Sequence, residues 1–148
     1  MLVEEILRSK PSRLVTIAPT ASLQVAIKTL SERNVGMLLV VSSEGQLTGM
    51  LSERDVVCFM AKHGLGAITR TVRDALAEVT IMASLMSSVT DIMRIMTEQR
   101  ARHLPVFDGA TLVGVISIGD ILHSRIAEKD LEATVLRDLA RTSLALIA

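Results

Sequence analysis

Residues 47–55 read Leu47-Thr48-Gly49-Met50-Leu51-Ser52-Glu53-Arg54-Asp55, and residues 112–120 read Leu112-Val113-Gly114-Val115-Ile116-Ser117-Ile118-Gly119-Asp120. Glycine, serine and aspartate recur at one constant offset, because 114 − 49, 117 − 52 and 120 − 55 are all equal. Upstream of each copy, apolar residues have the i, i+3, i+4, i+7 spacing that is typical of a helix with one buried face. These faces are Leu23, Ala26, Ile27 and Leu30, and then Val89, Ile92, Met93 and Met96. A duplicated unit predicts pseudo-twofold symmetry, with a cleft for a small ligand between the halves.

The composition indicates a globular protein of one compact domain. The 148 residues are 49% hydrophobic and 22% charged, with a formal net charge of zero. Phe59 and Phe107 are its only aromatic residues, and no basic patch is evident, which argues against nucleic acid as a partner. Cys58 is the only cysteine, which fits a reducing compartment. With no signal-peptide pattern and no apolar run of ~18 residues, we expect a cytoplasmic protein that does not bind membranes.

The order of elements is predicted twice. Each repeat begins with a short helical segment, Val3–Leu7 or Val72–Leu76. A short strand follows, at residues 14–17 or near residues 79–81, and then the amphipathic helix. A continuous apolar strand at residues 37–41 or 103–107, a turn, the strand with the motif and a last helix complete each unit. Pro105 lies within the strand at 103–107, which predicts an edge position or a strand end.

These elements predict a mixed α+β or α/β fold, in which two tandem β-α-β-β-α repeats are followed by a C-terminal helix. We place the first repeat at residues 1–66, the second at 67–127 and an amphipathic C-terminal helix at 128–148. The apolar stripe of that helix consists of Leu131, Val135, Leu139, Thr142 and Leu146. The stripe packs on the chain's own body or forms a dimer seam, and the sequence favours neither.

The motif Gly49-x-x-Ser52-x-x-Asp55 has a structural and a functional interpretation. Structurally, serine and an acidic residue three positions later form a helix capping box. Functionally, the glycine permits close approach to the backbone, and the helix N-terminus attracts phosphate. The aspartate is suited to accept hydrogen bonds from ribose hydroxyls. The second copy, at Gly114, Ser117 and Asp120, favours the functional interpretation and a nucleoside phosphate as the ligand.

Both copies match the pattern G-h-x-[ST]-x-x-D (h is apolar), and the chain resembles cystathionine-β-synthase (CBS) domains in this motif. The order of elements over about residues 3–127 is also similar to that family, as is the strand Arg102-His103-Leu104-Pro105-Val106. Two such repeats resemble a stand-alone Bateman module, which is a regulatory pair of CBS domains without a catalytic domain.

The resemblance implies adenosine-type ligands in the clefts between the repeats. Asp55 and Asp120 would bind ribose hydroxyls, and Ser52 and Ser117 would face ribose or phosphate. Thr16, Ile17, Thr80 and Ile81 would line the base pocket, and Arg102 and His103, followed by Pro105, would meet phosphate. Each has an ordinary alternative: the threonines as strand residues, Arg102 as a solvated charge and His103 as a partly buried strand residue.

The resemblance further implies a non-enzymatic sensor of AMP, ADP, ATP, S-adenosylmethionine or NAD(H). An adenine nucleotide would act as a regulatory ligand, with no obligatory cofactor, and two modules would pair as a homodimer. The first repeat lacks the basic pair Arg102-His103, so we expect the two clefts to differ in phosphate affinity. The alternative is a structural dimerisation or adaptor protein with vestigial sites. Its unidentified protein partner would bind the C-terminal helix.

Other candidate sites are weaker. Gly64-Leu65-Gly66 follows a helix rather than a strand, so we do not interpret it as a phosphate loop. Cys58 is expected in the core. We also expect core packing for four methionines rather than a metal site, and the three histidines lack metal-ligand spacing. These residues are Met82, Met86, Met93 and Met96, and His63, His103 and His123.

Overall fold

The computed structural model describes residues 1–10 and 14–147 of the chain, with side chains up to residue 140. The first half contains α1 (Val3–Ser9), β1 (Thr16–Ile17), α2 (Leu23–Arg33), β2 (Met37–Val41), β3 (Leu47–Ser52) and α3 (Glu53–His63). After a 3-10 helix at Leu65–Thr69 come α4 (Val72–Ala75), β4 (Ala83–Ser84), α5 (Val89–Gln99), β5 (His103–Asp108), β6 (Thr111–Ser117) and α6 (Ile118–Ile147). The order confirms the predicted fold class, with two β-α-β-β-α repeats and a long C-terminal helix.

Each repeat contains its own three-stranded sheet. The strand orders are β1-β2-β3 and β4-β5-β6. In both sheets the short first strand is parallel to the central strand, and the third strand is antiparallel to it. The motif glycines occupy equivalent positions, because Val40 pairs with Gly49 and Val106 pairs with Gly114.

Two details of the strands differ from the sequence prediction. The first strand of the second repeat is Ala83–Ser84 rather than residues 79–81. Val79, Thr80 and Ile81 have high strand propensity, but the pairing of Ala83 with Val106 repeats the pairing of Ile17 with Val40 at a common offset (83 − 17 equals 106 − 40). Pairing register therefore overrides local propensity.

The second difference concerns Pro105, which lies in the central strand rather than at an edge or a strand end. At the equivalent position of the first repeat, the Leu39 N–H donates to the Val15 carbonyl at 2.9 Å, just before β1 begins. Proline has no N–H and forgoes only this one bond, because β4 pairs no earlier than Val106. A central strand that is unpaired on one side at this residue can therefore contain a proline.

The two hydrophobic cores exchange their leading helices. Val3 and Ile6 of α1 lie in the core of the second repeat, and Val72 of α4 lies in the core of the first repeat. Backbone hydrogen bonds fix both exchanges, since the Val3 N–H donates to Ser87 and the Val72 N–H donates to Ala21. Each leading helix therefore completes the core of the other repeat, which ties the halves into one unit.

The C-terminal helix leaves the body of the protein part-way along its length. Ile121 is buried, and Arg125 donates a hydrogen bond to Thr90 of α5. Beyond that point Leu131, Val135 and Leu139 are exposed, while the side chains of Thr142 and Leu146 lie outside the described residues. Among the described residues, no helix has the length and apolar composition needed to cross a bilayer.

Candidate functional site

The two motif copies form the same local structure at the ends of β3 and β6. Ser52 caps α3: its hydroxyl accepts from the Asp55 N–H at 3.2 Å, and Asp55 Oδ2 accepts from the Ser52 N–H at 2.8 Å. The same bonds join Ser117 and Asp120, at 3.1 and 2.8 Å. The structural interpretation as a capping box is therefore confirmed at both copies.

The capping boxes leave one carboxylate oxygen on each aspartate for another partner. Both serine hydroxyls donate to the Oδ2 atom of their aspartate, at 2.6 Å in the first copy and 2.7 Å in the second. Within the described part of the chain, Oδ1 of Asp55 makes no hydrogen bond. A carboxylate that is held rigidly through one oxygen presents the other in a fixed direction, which suits it to bind a hydroxyl.

The motif glycines make room for the exchanged leading helices. A Cβ on Gly49 would lie 2.6 Å from Leu76 Cδ1 and 2.9 Å from the Ala77 carbonyl oxygen. A Cβ on Gly114 would lie 2.9 Å from Leu7 Cδ1. The sequence predicted close approach to these glycines, and in this structure the approaching groups are protein side chains and backbone.

The first cleft, as we call the groove around Asp55, contains a cavity of about 380 Å³. Residues of both repeats line it, because the chain between α4 and β4 crosses the groove beside β3. Six of the predicted site residues meet there, namely Ser52, Asp55, Thr80, Ile81, Arg102 and His103. Although residues 79–81 form no strand, Thr80 and Ile81 thus still border the predicted cavity.

Charged side chains of both signs surround the first cleft. Its lining includes the basic residues Arg54, Arg100 and Arg102, and the acidic residues Glu53 and Glu78 besides Asp55. Arg100 ends α5 in a left-handed conformation with φ of 52°, where glycine or asparagine is usual. An arginine in this conformation at the rim of a cavity is a position to test for function.

The second cleft, around Asp120, differs from the first. A cavity of about 480 Å³ beside it is lined by Ser117, His103, Arg33 and Lys10, among others. The Lys10 ammonium donates to Asp120 Oδ2 at 2.8 Å and to the Val115 carbonyl at 3.3 Å. Burial raises the pKa of Asp120, but hydrogen bonds from Lys10 and Ser117 and the Lys10 charge outweigh it and hold that pKa below its ordinary value.

His103 borders both cavities and is only partly exposed. Burial lowers the pKa of its imidazole, and the positive charge of Lys10 lowers it further. Asp120 and Glu53 act in the opposite direction, but the net shift is downward. His103 is therefore neutral at pH 7 and presents one donor and one acceptor nitrogen between the clefts.

The remaining predicted site residues, Asp120 among them, are not in the linings of these two cavities. Thr16 is exposed in β1, Ile17 is part of the core of the first repeat, and Pro105 is buried in β5. The sequence predicted that the segment around Thr16 and Ile17 lines a base pocket through its backbone groups, and this stays a prediction. The neighbouring Val15, whose carbonyl bonds Leu39, does line the second cavity.

Several cleft residues were missed by the sequence analysis, namely Lys10, Arg33, Arg54, Glu78 and Arg100. Arg100 could have been identified from the sequence, because the first repeat has Asn34 at the same helix end. The offset between these two residues equals the offset of the two helix starts (100 − 34 equals 89 − 23). No sequence pattern indicates Lys10, since it and its partner Asp120 lie near opposite ends of the chain.

Two expectations about core packing were wrong. Cys58 is exposed, because α3 buries Val56 and turns the next two residues towards the surface. Met96 is buried as expected, but Met82, Met86 and Met93 are exposed, at 57%, 68% and 38%. Among the described residues, no group of three or more histidine, cysteine or acidic side chains is arranged to hold a metal ion.

Comparisons with known proteins agree with this geometry. The CBS domain family model matches residues 3–62 and again residues 71–127. The CBS-domain containing protein ATU1752 from Agrobacterium tumefaciens superposes with a TM-score of 0.81 and 32% identity, over 84% of this chain and 92% of that one. The CBS domain-containing protein YhcV of Bacillus subtilis is 26% identical over 80% of this chain and 83% of its own length.

A similar solved structure contains adenosine-type ligands. The CBS domain pair of protein MJ0100, in complex with 5′-methylthioadenosine and S-adenosyl-L-methionine, superposes with a TM-score of 0.71. It is 26% identical, and the similarity covers 88% of this chain and 98% of that one. Since the family model matches two stretches that together span most of its length, the chain belongs to the CBS domain family and is a tandem pair of these domains.

Proposed function

We propose that this CBS pair binds adenosine-type ligands in the clefts between its repeats and acts as a regulatory module. The observation that carries the proposal is the cavity of the first cleft, where six residues selected from the sequence converge from both repeats. The candidate ligands are AMP, ADP, ATP, S-adenosylmethionine and NAD(H), which share the adenosine moiety. Each would be a regulatory ligand that binds reversibly rather than an obligatory cofactor.

In the first cleft the charges suit a nucleotide. Asp55 accepts hydrogen bonds from ribose hydroxyls through Oδ1, while Oδ2 stays in the capping box. The positive end of the α3 dipole, next to Ser52, would face a phosphate, together with the guanidinium groups of Arg100 and Arg102. Thr80 and Ile81 line the base pocket, and His103 lies beside the phosphates.

The ligand contents of one similar structure support this assignment. In MJ0100 a CBS pair is complexed with two adenosine-type compounds, and its similarity to this chain extends over both repeats. The shared fold makes related ligand chemistry the first choice to test here.

Ligand binding would change the populations of the conformations that the module adopts. A ligand that contacts both repeats favours the relative orientation that it fits best, and shifts the molecule towards it. We expect the module to work as a cytoplasmic homodimer, paired through α3 and α6. Val57 and Leu122 occupy equivalent positions on these helices, each two residues after the motif aspartate, and both are exposed, as is Ile126. Burying such a shared apolar surface stabilises an isologous dimer.

A thermal-shift panel tests the proposal. The purified chain is heated with AMP, ADP, ATP, S-adenosylmethionine, NAD or NADH, and with GMP as the control for the base. A ligand at 100 times its dissociation constant adds about 2.7 kcal/mol to the free energy of unfolding, which raises Tm by several degrees. We expect such a rise with at least one adenosine compound and none with GMP. No rise with any of the six adenosine compounds contradicts the proposal.

The exposed tail of α6 favours a second candidate, a structural adaptor with vestigial sites. Leu131, Val135 and Leu139 form an apolar stripe with nothing packed on it among the described residues. Deleting residues 129–148 separates the two candidates. An adaptor loses its self-assembly or its protein partner, whereas a sensor keeps its ligand affinity. Size-exclusion chromatography and calorimetric titration of the truncated chain measure both properties.

A further inference from the structure

The ion pair between Lys10 and Asp120 joins distant parts of the chain. The two residues are 110 positions apart, and their side chains are only 38% and 20% exposed. Ion pairs within the helices, such as Arg94 with Glu98, join residues three or four positions apart and are more exposed. The Lys10 ammonium also donates to the Val115 carbonyl, so two acceptors of the second repeat hold it against the motif strand.

The first cleft has no such cation at the corresponding place. The carbonyl that corresponds to that of Val115 belongs to Met50, since each residue directly follows the motif glycine. The Met50 carbonyl accepts from the Ala77 N–H at 2.9 Å, and Ala77 has no charge to offer Asp55. Among the described residues Asp55 has no ion-pair partner. Among the described ion pairs the two motif carboxylates therefore differ, because a lysine neutralises Asp120 and no side chain neutralises Asp55.

We propose that Lys10 is a built-in competitor for Asp120. Lys10 lines the second cavity and Asp120 does not, so a ligand's ribose in this cavity must displace the ammonium to reach either oxygen of the carboxylate. This inference rests on the proposed function, in which these aspartates accept ribose hydroxyls. It predicts the order in which the two clefts bind ligand: as the ligand concentration rises, the first cleft is occupied before the second. The order arises from residue 10, which lies outside both copies of the motif.

The same competitor makes the second cleft selective for ligands with a negative charge. The cavity beside Asp120 is lined by Lys10, Arg33 and His103, and no carboxylate of the described residues lines it. A displaced Lys10 therefore has no other anion among those lining residues and gains one from a ligand phosphate. For neutral adenosine, the displacement of Lys10 only lowers the binding affinity, because the broken ion pair is not replaced. For AMP, an ion pair between Lys10 and the phosphate offsets the loss of the ion pair with Asp120.

Calorimetric titration in a background with a weakened first cleft tests the competitor. The parent is Asp55→Ala, into which Lys10→Met is introduced to remove the ammonium while keeping an unbranched side chain. We expect adenosine to bind at least about fivefold more tightly to the Lys10→Met variant, which corresponds to about 1 kcal/mol at 1.36 kcal/mol per tenfold. The ratio of AMP affinity to adenosine affinity should fall. Lys10→Arg is the matched control and should behave like the parent.

The outcomes separate this inference from the proposed function. If AMP binds the wild-type chain but Lys10→Met leaves adenosine affinity in the second cleft unchanged, the competitor is wrong and the proposed function stands. If neither probe binds any variant, both are wrong. If adenosine binds the Asp55→Ala parent only after Lys10→Met has been added, the competitor is supported.

A measurement without ligand keeps the inference testable. In a double-mutant cycle of Lys10→Met and Asp120→Asn, followed by thermal unfolding, the two effects should be less than additive, because each variant breaks the same pair. Strict additivity means that the pair does not form, and the competitor then has no basis.

Discussion

Leu76 Cδ1 lies 2.6 Å from the position that a Cβ on Gly49 would occupy, so the motif glycine is in contact with the leading helix of the other repeat. Leu7 stands in the same relation to Gly114, at 2.9 Å. The glycine of this motif therefore has a packing role that requires no ligand. Its serine and aspartate are likewise part of a capping box.

Gly49→Ala should destabilise the protein more than Gly114→Ala. At Gly49 the new methyl group meets backbone as well as a side chain, since the Ala77 carbonyl oxygen is 2.9 Å away, whereas at Gly114 a leucine side chain can move aside. We expect a loss of about 1–3 kcal/mol at Gly49, measured by chemical denaturation. Gly66→Ala, with nothing within 4 Å, is the matched control and should change stability little. Equal losses at all three glycines would refute the packing role.

Asp55→Ala should weaken ligand binding in the first cleft at least about tenfold, because a charged hydrogen-bond acceptor is lost. The substitution also removes a capping box, which lowers stability for reasons unrelated to ligand. Asp74→Ala controls for this effect, since Asp74 forms the same box with Thr71 and does not line the first cleft. In titrations with the ligand found in the thermal panel, Asp74→Ala should keep wild-type affinity. Equal losses for both variants would mean that Asp55 acts only through the fold.

Arg100→Gly should make the protein more stable and its ligand binding weaker. A non-glycine residue in the left-handed region costs about 1 kcal/mol, which glycine recovers, while the guanidinium beside the first cleft is lost. Asn34→Gly, at the same cap of α2, is the control: asparagine tolerates this conformation, so Tm should change less. Thermal unfolding and titration with ATP measure the two effects. A variant with lower Tm and unchanged ATP affinity would contradict the role of Arg100.

His103→Gln should flatten the dependence of stability on pH below about 6.5. The pKa of His103 is lowered in the folded chain by burial and by Lys10, so on acidification the unfolded chain takes up this proton first. Stability therefore falls as pH drops from about 6.5, until the folded histidine is protonated as well. Denaturation curves between pH 7.5 and about 5 measure the slope for both proteins. An identical slope in the variant would show that His103 does not contribute to it.

The sequence predicted elements whose signals are local and strong. Met37–Val41 is a strand with the predicted bounds, because its uninterrupted apolar run fits a buried central strand. Ser52 is the predicted helix cap, because its partner Asp55 lies only three residues away. Residues that line the first cavity were also selected from the sequence, since the duplicated motif marks Asp55 and the family resemblance marks Arg102 and His103.

Features that depend on distant contacts were not predicted. The position of β4 follows from its pairing with β5, which overrides the strand propensity of residues 79–81. The Lys10–Asp120 pair and the exchange of leading helices join segments that are far apart in sequence, and no local pattern indicates them. The exposed Cys58 shows a related limit, because neighbouring apolar residues on a helix do not share one face. The division at residues 1–66, 67–127 and 128–148 remains a prediction.

The exchange of α1 and α4 has a consequence for how the chain is made. A protein leaves the ribosome from its N-terminus, so α1 emerges long before the strands and helices of the second repeat, on which Val3 and Ile6 pack. The first repeat likewise lacks Val72 in its core until α4 has been synthesised. Neither repeat can reach its final packing alone during translation, and a chain interrupted between the repeats leaves α1 without its binding surface. A nascent chain that reaches only to the end of the first repeat exposes the apolar face of α1, which stays exposed until the second repeat has been synthesised.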